Sequence, residues 1–431
     1  MKKLVLAIIA ATVLIFNTTA AFAQTLNIDA LSYILIDSKS GQVLIEHNSL
    51  MQGLYPASTT KIMTAILAIE KGTPDQMMTA SAAAINDIGK DGMNIGIMAG
   101  EQLSMENLLH ALLVSSANET ANIIAENISP TRQEFVDLMN EKARELGAEN
   151  THFVNPCGSH NDNHYTTAAD FAKIARHAMT LPKFREIVAK TEFTLPPTNK
   201  HDQWPQLFTT NKLLKRTPKE LFSVNGMKTG YTGPAGYNLV ASGINKDGME
   251  LISVIMGEKS PNSSNLIYSD SSSLLEYGFK NFSLNKLVET NKPNGSTTVT
   301  GSADTGTLEL LSDGEISAVL PIDTAEWNLA KKEYIKTEIE APVEKGAVLG
   351  YIEYSRNGIP LGKVNLIASA SVEKAPETRL QTTVNAVRNT TDDPLFKRVA
   401  FLAAGVLVFF VLLRFILKRI SRTRKYKRYK L

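Results

Sequence analysis

Three short strings, Ser58-Thr59-Thr60-Lys61, Ser116-Ala117-Asn118 and Lys228-Thr229-Gly230, lie far apart along a chain of 431 residues, and they make joint chemical sense only in a fold that gathers them at one place. Singly they are weak. Ser-x-x-Lys recurs at Ser283-Leu284-Asn285-Lys286 and Ser371-Val372-Glu373-Lys374, and Ser-x-Asn recurs at Ser223-Val224-Asn225 and Ser263-Ser264-Asn265, whereas Lys-Thr-Gly occurs once. Context separates them. Ser58 follows Pro56-Ala57 and opens Ile62, Met63, Ala65, Ile66, Leu67 and Ile69, an apolar run at helical spacing that ends in Lys71-Gly72 and predicts a buried helix. A serine at such a start is commonly a helix cap. The three-residue offset to Lys61 favours chemistry, because positions i and i+3 share a helix face and the amine reaches the hydroxyl.

A serine hydroxyl is a weak nucleophile until a base takes its proton, and a lysine is that base only when neutral near pH 7. Ser58 is therefore the candidate nucleophile and Lys61 its general base, with desolvation and a second nearby lysine, Lys228, as the two ways to lower the Lys61 pKa. Lys228 with the Thr229 hydroxyl suits a terminal carboxylate, and Gly230 is expected to leave room for a substrate backbone beside a strand. The second string lies between two apolar helical patterns, 105–114 and 119–124. Ser116 and Asn118 are there either caps of the second helix or, functionally, a proton relay to a leaving amine and a hydrogen bond to a substrate amide. An oxyanion needs two backbone N–H donors, and those of Ser58 and Tyr231 are the candidates.

With these residues in place the chain resembles the low-molecular-mass penicillin-binding proteins, serine-type D-alanyl-D-alanine carboxypeptidases of peptidase family S11. The likeness runs from about residue 30 to 282 and includes Pro56-Ala57-Ser58-Thr59-Thr60-Lys61, Asn163-His164-Tyr165-Thr166-Thr167-Ala168, Thr210-Asn211-Lys212-Leu213-Leu214 and Gly226-Met227-Lys228-Thr229-Gly230-Tyr231-Thr232. The resemblance implies an α+β fold of the β-lactamase/transpeptidase kind, an antiparallel sheet flanked by helices. It implies removal of the last D-alanine from peptidoglycan stem pentapeptides through an acyl-serine, with β-lactams as covalent inhibitors and no cofactor. Under it Ser58 is acylated, Lys61 is the base, Ser116 and Asn118 form the second-motif pair, and Lys228 binds substrate. Related readings are a D,D-endopeptidase or transpeptidase of the same superfamily, or a non-catalytic penicillin-binding, wall-docking protein. The loop Asn155-Pro156-Cys157-Gly158-Ser159-His160 departs from the family pattern after its glycine. Ala117 stands where class A β-lactamases carry Asp, and no Glu-x-x-Leu-Asn segment is present to position a deacylating water.

The chain ends supply the address. Residues 1–23 read as a secretory signal peptide, with Lys2 and Lys3, an apolar core, and Ala21-Phe22-Ala23 before Gln24. Residues 397–417 read as a transmembrane helix, and 418–431 as a basic cytoplasmic tail under the positive-inside rule. All 43 acidic residues lie between these ends, while eleven of the 45 basic ones follow Phe396, so the overall +2 hides an acidic outer part. The expected location is the cell membrane, single-pass, with the catalytic part extracytoplasmic and the tail held at anionic lipid rather than on nucleic acid. Between the ends, 24–282 is expected to form the catalytic domain, 283–372 a small β-sandwich and 373–396 an extended linker, from the Asn-Gly, Asp-Gly and Lys-Gly turns after 282 and the proline-punctuated polar stretch after 372. Cys157 is the sole cysteine, so no intrachain disulfide forms. With His160 and His164 it makes a zinc-like spacing, but no fourth ligand is evident and no metal is expected.

Overall fold

A computed structural model describes residues 26–89, 92–215, 220–303, 306–376, 388–389 and 393–427. The 1–23 leader lies outside the described residues, as do most of the 373–396 linker and the end of the basic tail. The three strings belong to a compact unit made of the residues up to Glu289 with Glu315–Lys332 and Glu353–Lys363.

Its sheet is antiparallel and has the order β2-β1-β5-β4-β3, from β1 (Ser32–Asp37), β2 (Val43–His47), β3 (Ser223–Thr232), β4 (Gly236–Ile244) and β5 (Glu250–Glu258). Both faces are covered, which the period of two along each strand makes visible. Leu35, Leu239, Ala241, Leu251 and Ile255 pack with Leu274, Leu275 and Phe279 of a long helix, Ser263–Asn281. Ile34, Ile36, Val240, Ile252 and Val254 point the other way, into a core shared with Ile62, Ile66, Phe171 and Ile174. Such strands read as near-continuous apolar runs, and 250–256 does.

Helices α1 (Lys61–Lys71), α2 (Asn118–Ile128), α3 (Arg132–Glu145), α4 (Ala168–Ala178) and α5 (Ser263–Asn281) surround that sheet. α1 is apolar all round and central: Ile62, Met63, Ala65, Ile66, Leu67 and Ala68 are all buried. A helix with no polar face has to be interior. The expected helix from Ser58 starts differently in one respect: residues Ala57–Thr60 form a single 3-10 turn and the α-helix proper begins at Lys61. Pro56 and a positive φ of 49° at Ala57 turn the chain sharply just before the serine. A strand pair, β6 (Phe282–Val288) with β9 (Ile316–Pro321), completes this unit.

The second unit is a sheet region in which β7 (Pro293–Thr300) pairs antiparallel with β8 (Thr307–Ser312) and parallel with Ile339–Glu340. The end of β10 (Ile359–Ala368) adds to β8, with Leu310 opposite Ala368. Val299, Leu308, Leu310, Ile339 and Leu366 are its buried positions. The apolar C-terminal stretch forms α6 (Pro394–Lys427), and Pro394–Ile420 is long and apolar enough to cross a bilayer.

Candidate active site

Ser58 and Lys61 are set by the turn that opens α1. Asn238 of β4 donates from Nδ2 to the carbonyls of Tyr55 (2.8 Å) and Pro56 (3.2 Å), and the Thr59 hydroxyl donates to Pro56 O at 2.7 Å, so the turn is tied to the sheet. Lys61 is fully buried, and its Nζ has three neighbours: Ser58 Oγ at 3.0 Å, Asn118 Oδ1 at 2.7 Å and the Cys157 carbonyl at 2.7 Å. Two of these are carbonyl oxygens, which only accept. The Asn118 orientation is fixed by its own Nδ2, which donates to Ile88 O at 2.8 Å. A neutral Lys61 amine has two hydrogens for the two carbonyls, which leaves its lone pair facing the one neighbour able to donate, the Ser58 hydroxyl. Burial lowers the Lys61 pKa to about 8, against the opposing electrostatic pull of Cys157 and Glu119. Neutral amine is therefore accessible near physiological pH, as a base requires.

The second string arrives on an irregular junction. The helix Met105–His110 widens into a π-turn over Ala111–Ser115, Ser116 takes the left-handed conformation at φ 67°, and α2 starts at Asn118. Neither Ser116 nor Asn118 caps α2; the cap position is Ala117 and no side chain bonds there. Ser116 itself is buried. Ala57 (49°), Ser116 (67°) and Met227 (101°) each have positive φ and each lies in or next to one of the three strings. Strain of this kind costs of order 1–3 kcal/mol per residue and collects where geometry matters more than stability.

The third string lies on β3, the last strand in the order of the sheet, and Tyr231 and Thr232 of that strand line the cleft. Lys228 is as buried as Lys61; its Nζ donates to Thr229 O at 3.1 Å and to Thr210 Oγ1 at 3.4 Å. Desolvation pulls the Lys228 pKa well below the usual lysine value, and the charge of Lys61 pulls it further, so the two amines are electrostatic neighbours. Gly230 does a different job from the one expected. A Cβ there would stand 2.7 Å from Pro56 O, 3.0 Å from Thr59 N and 3.1 Å from Ser58 N, so the space is filled by the Ser58 turn rather than by a substrate backbone. Its absence lets the strand abut the nucleophile's own N–H.

A cleft of about 410 Å³ opens above Ser58, lined by Met93, Asn118, Ser159, His160 and Tyr231 among others. The loop that contributes Cys157 is organised by Asn155, whose Oδ1 accepts from the N–H groups of Gly158 (2.7 Å) and Ser159 (3.1 Å). The Cys157, His160 and His164 side chains do not converge. Cys157 Sγ lies 3.1 Å from Ser159 Oγ, His164 Nε2 lies 2.9 Å from Thr60 Oγ1, and the His160 ring packs edge-on to Tyr55.

A family model described as D-alanyl-D-alanine carboxypeptidase matches residues 17–260, more than half of the chain. The chain belongs to this family. A second model, described as the C-terminal domain of penicillin-binding protein 5, matches residues 282–374 of this carboxypeptidase-family chain. Among curated relatives, D-alanyl-D-alanine carboxypeptidase DacF of Bacillus subtilis is 32% identical over 87% of this chain and 96% of its own length. The solved structure of penicillin binding protein 5 from Haemophilus influenzae aligns with a TM-score of 0.64 at 30% identity, over 81% of this chain and 98% of that one. The PBP3 structure from Streptococcus pneumoniae aligns with a TM-score of 0.67 at 25% identity, over 80% and 100% respectively. Membership of the carboxypeptidase family makes the chain a serine peptidase, a hydrolase.

Sequence reasoning missed three residues of this carboxypeptidase-family site. Thr210 accepts from the Thr229 hydroxyl at 2.7 Å and from Lys228, and the Tyr268 hydroxyl donates to its carbonyl at 3.0 Å; its only sequence signal is its place in the Thr-Asn-Lys-Leu-Leu string. Asn238 sits in an ordinary strand pattern, and Glu119 in an ordinary first helical turn, so neither advertises itself.

Proposed function

We propose that the chain removes the terminal D-alanine from peptidoglycan stem pentapeptides through an acyl-enzyme on Ser58, and that β-lactams acylate the same oxygen. The observation that carries this is the Lys61 amine, buried, 3.0 Å from Ser58 Oγ, with its remaining neighbours both carbonyl oxygens. Lys61 takes the Ser58 proton as Oγ attacks the carbonyl of the penultimate D-alanine. The backbone N–H groups of Ser58 and Tyr231 hold the oxyanion, a role supported by the closeness of Gly230 to Ser58 N. Lys228, with Thr229, holds the substrate's terminal carboxylate. Asn118 aligns Lys61 and the substrate amide, and Ser116 passes a proton to the departing D-alanine amine. The C–N bond breaks, an ester on Ser58 remains, and water then cleaves it.

Location follows the chain ends. An amino-terminal secretory leader, a single span in α6 and a basic tail on the inner side leave the catalytic part facing the wall; the apolar composition and length of Pro394–Ile420 support the span. Transfer of the acyl group to an amine instead of water is a second reading. It is favoured by a further structural neighbour, the Streptomyces K15 DD-transpeptidase, matched in a mutant form with a TM-score of 0.54 at 25% identity. Incubating the full chain in detergent with a diacylated pentapeptide ending in D-Ala-D-Ala decides among the readings. Free D-alanine with a tetrapeptide product is expected. A cross-linked product in the presence of an acceptor amine supports transfer, and absence of both overturns catalysis.

A further inference from the structure

The side chain of Asn238 is buried, 2% exposed, and spends its hydrogen bonds on backbone outside its own strand. Oδ1 accepts the Gly257 N–H of β5 at 2.8 Å, while Nδ2 donates to Tyr55 O at 2.8 Å and to Pro56 O at 3.2 Å. An N–H only donates and a carbonyl only accepts, so these partners fix which end of the amide points where. The sheet is irregular at this point. Tyr237 stands opposite Glu258 and Leu239 opposite Ile255, so Met256 and Gly257 share the single partner Asn238 in a β-bulge, with Gly257 at a φ of 75°. A bulge takes a backbone group off the ladder and re-aims side chains, and the freed N–H is the one that Asn238 holds. In the other direction Asn238 is the cross-strand partner of Gly230 in β3. Directly opposite residues share a face, so the residue that admits the Ser58 turn and the residue that grips it are neighbours. Both meet at Pro56 O, which also accepts the Thr59 hydroxyl and lies 2.7 Å from where a Gly230 Cβ would stand.

We propose that Asn238 is a positioning residue for acylation: by clamping the carbonyls of Tyr55 and Pro56 to β4, it sets the spacing between the Ser58 N–H on the turn and the Tyr231 N–H on β3. The proposal rests on the function proposed above, in which those two groups hold the oxyanion. Ser58 follows Pro56 by two residues and Tyr231 follows Gly230 by one, so the clamp acts within two residues of each donor. Donors stabilise a developing oxyanion most when their geometry is set before the reaction begins. Asn238 is not one of the described residues that line the cleft, so it acts through the turn and not on the substrate.

Asn238→Ala removes the whole clamp, and Asn238→Asp keeps the acceptor for Gly257 but sets an oxygen in place of the NH2 that faces the two carbonyls. The readout is acylation of Ser58 by labelled penicillin, on the full chain in detergent. Its concentration dependence separates the dissociation constant of the initial complex from the first-order rate constant of bond formation. The rate constant is expected to fall about a hundredfold in Asn238→Ala and to fall likewise in Asn238→Asp. The dissociation constant and the fraction of chains that finally label should stay at their wild-type values. A boronic acid carrying the substrate's acyl side forms a tetrahedral adduct on Ser58 with an oxygen facing both N–H groups, and its affinity should drop by the same factor. A purely structural part for Asn238 would lower the labelled fraction or the melting temperature and leave the rate constant alone, and that result overturns the proposal. So does a wild-type rate constant in Asn238→Asp beside a slow Asn238→Ala, which would assign the effect to the bulge. If Asn238→Ala does not fold, Asn238→Asp, which keeps the shape, carries the test by itself. Failure of the wild type to label at Ser58 would instead strike at the proposed function.

Discussion

At the scale of single residues, the site works by elimination of alternatives around one nitrogen. The Lys61 amine is enclosed by two carbonyl oxygens and a hydroxyl, so its protonation state alone decides which way the Ser58 contact points. Removing the amine should therefore be far more damaging than removing one of its acceptors. Lys61→Ala is predicted to slow acylation by penicillin by about 10²–10⁴-fold with unchanged circular dichroism. Asn118→Ala, which leaves the amine in place but one of its hydrogens unpaired, should cost roughly ten- to a hundredfold. Equal losses in the two variants would mean that Asn118, and not the lysine, organises the chemistry. That Ser58, Lys61 and Asn118 meet was legible because residue types able to do this chemistry are few and the Ser58–Lys61 offset follows the helix period. Glu119, Asn238 and Thr210 were not, because their contributions depend on contacts with residues 24 or more, about 180, and 18 positions away, and no local pattern encodes such partners.

At the scale of elements, two seams make the site possible. The first is the contact of β3 with the Ser58 turn, where Gly230 admits backbone against backbone. Gly230→Ala puts a methyl 2.7 Å from Pro56 O, an atom that cannot swing aside. The expected result is about 1–3 kcal/mol of lost stability by urea unfolding and about a hundredfold slower acylation from displacement of the nucleophile; a wild-type acylation rate would show that the strand and the turn move independently. The second seam is between β5 and α5. There Asp270 is pushed up to about 6, first by burial and then by the negative charges of Glu258 and Asp29, with Glu258 also hydrogen-bonding the protonated form. A carboxyl whose folded pKa lies above its ordinary value favours the fold while protonated, and that contribution is lost as pH rises from about 4 through about 6. Asp270→Asn should accordingly raise the melting temperature by a few degrees at pH 7.5 and hardly at all at pH 4. An equal gain at both values would place the effect in packing, not charge. The central sheet and α1 were readable from sequence because both are apolar on every face, so burial follows from composition. The 3-10 turn at Ala57–Thr60 and the π-turn at Ala111–Ser115 were not, since each depends on backbone strain that tertiary packing imposes.

For the whole molecule, the division of labour runs along the chain: a catalytic unit built on a sheet buried on both faces, a second sheet region, and α6, whose 34 residues extend about 50 Å against a hydrocarbon core of about 30 Å. A chain stopped after Ala375 should leave the membrane fraction on alkaline extraction and still acylate with penicillin at the wild-type rate. Retention of that shortened chain in membranes would show a second anchor. The overall class and the apolar terminus were plain in the sequence, whereas the distribution of strands after Phe282 between two units was not, because β6 and β9 pair across the intervening strands. Everything rests on Ser58 being the oxygen that Lys61 activates. The direct test is peptide mapping by mass spectrometry of the full chain after reaction with labelled penicillin: one adduct, on the peptide holding Ser58 and at that residue, strongly diminished in Lys61→Ala. An adduct on any other side chain, or undiminished labelling without the lysine, would contradict it.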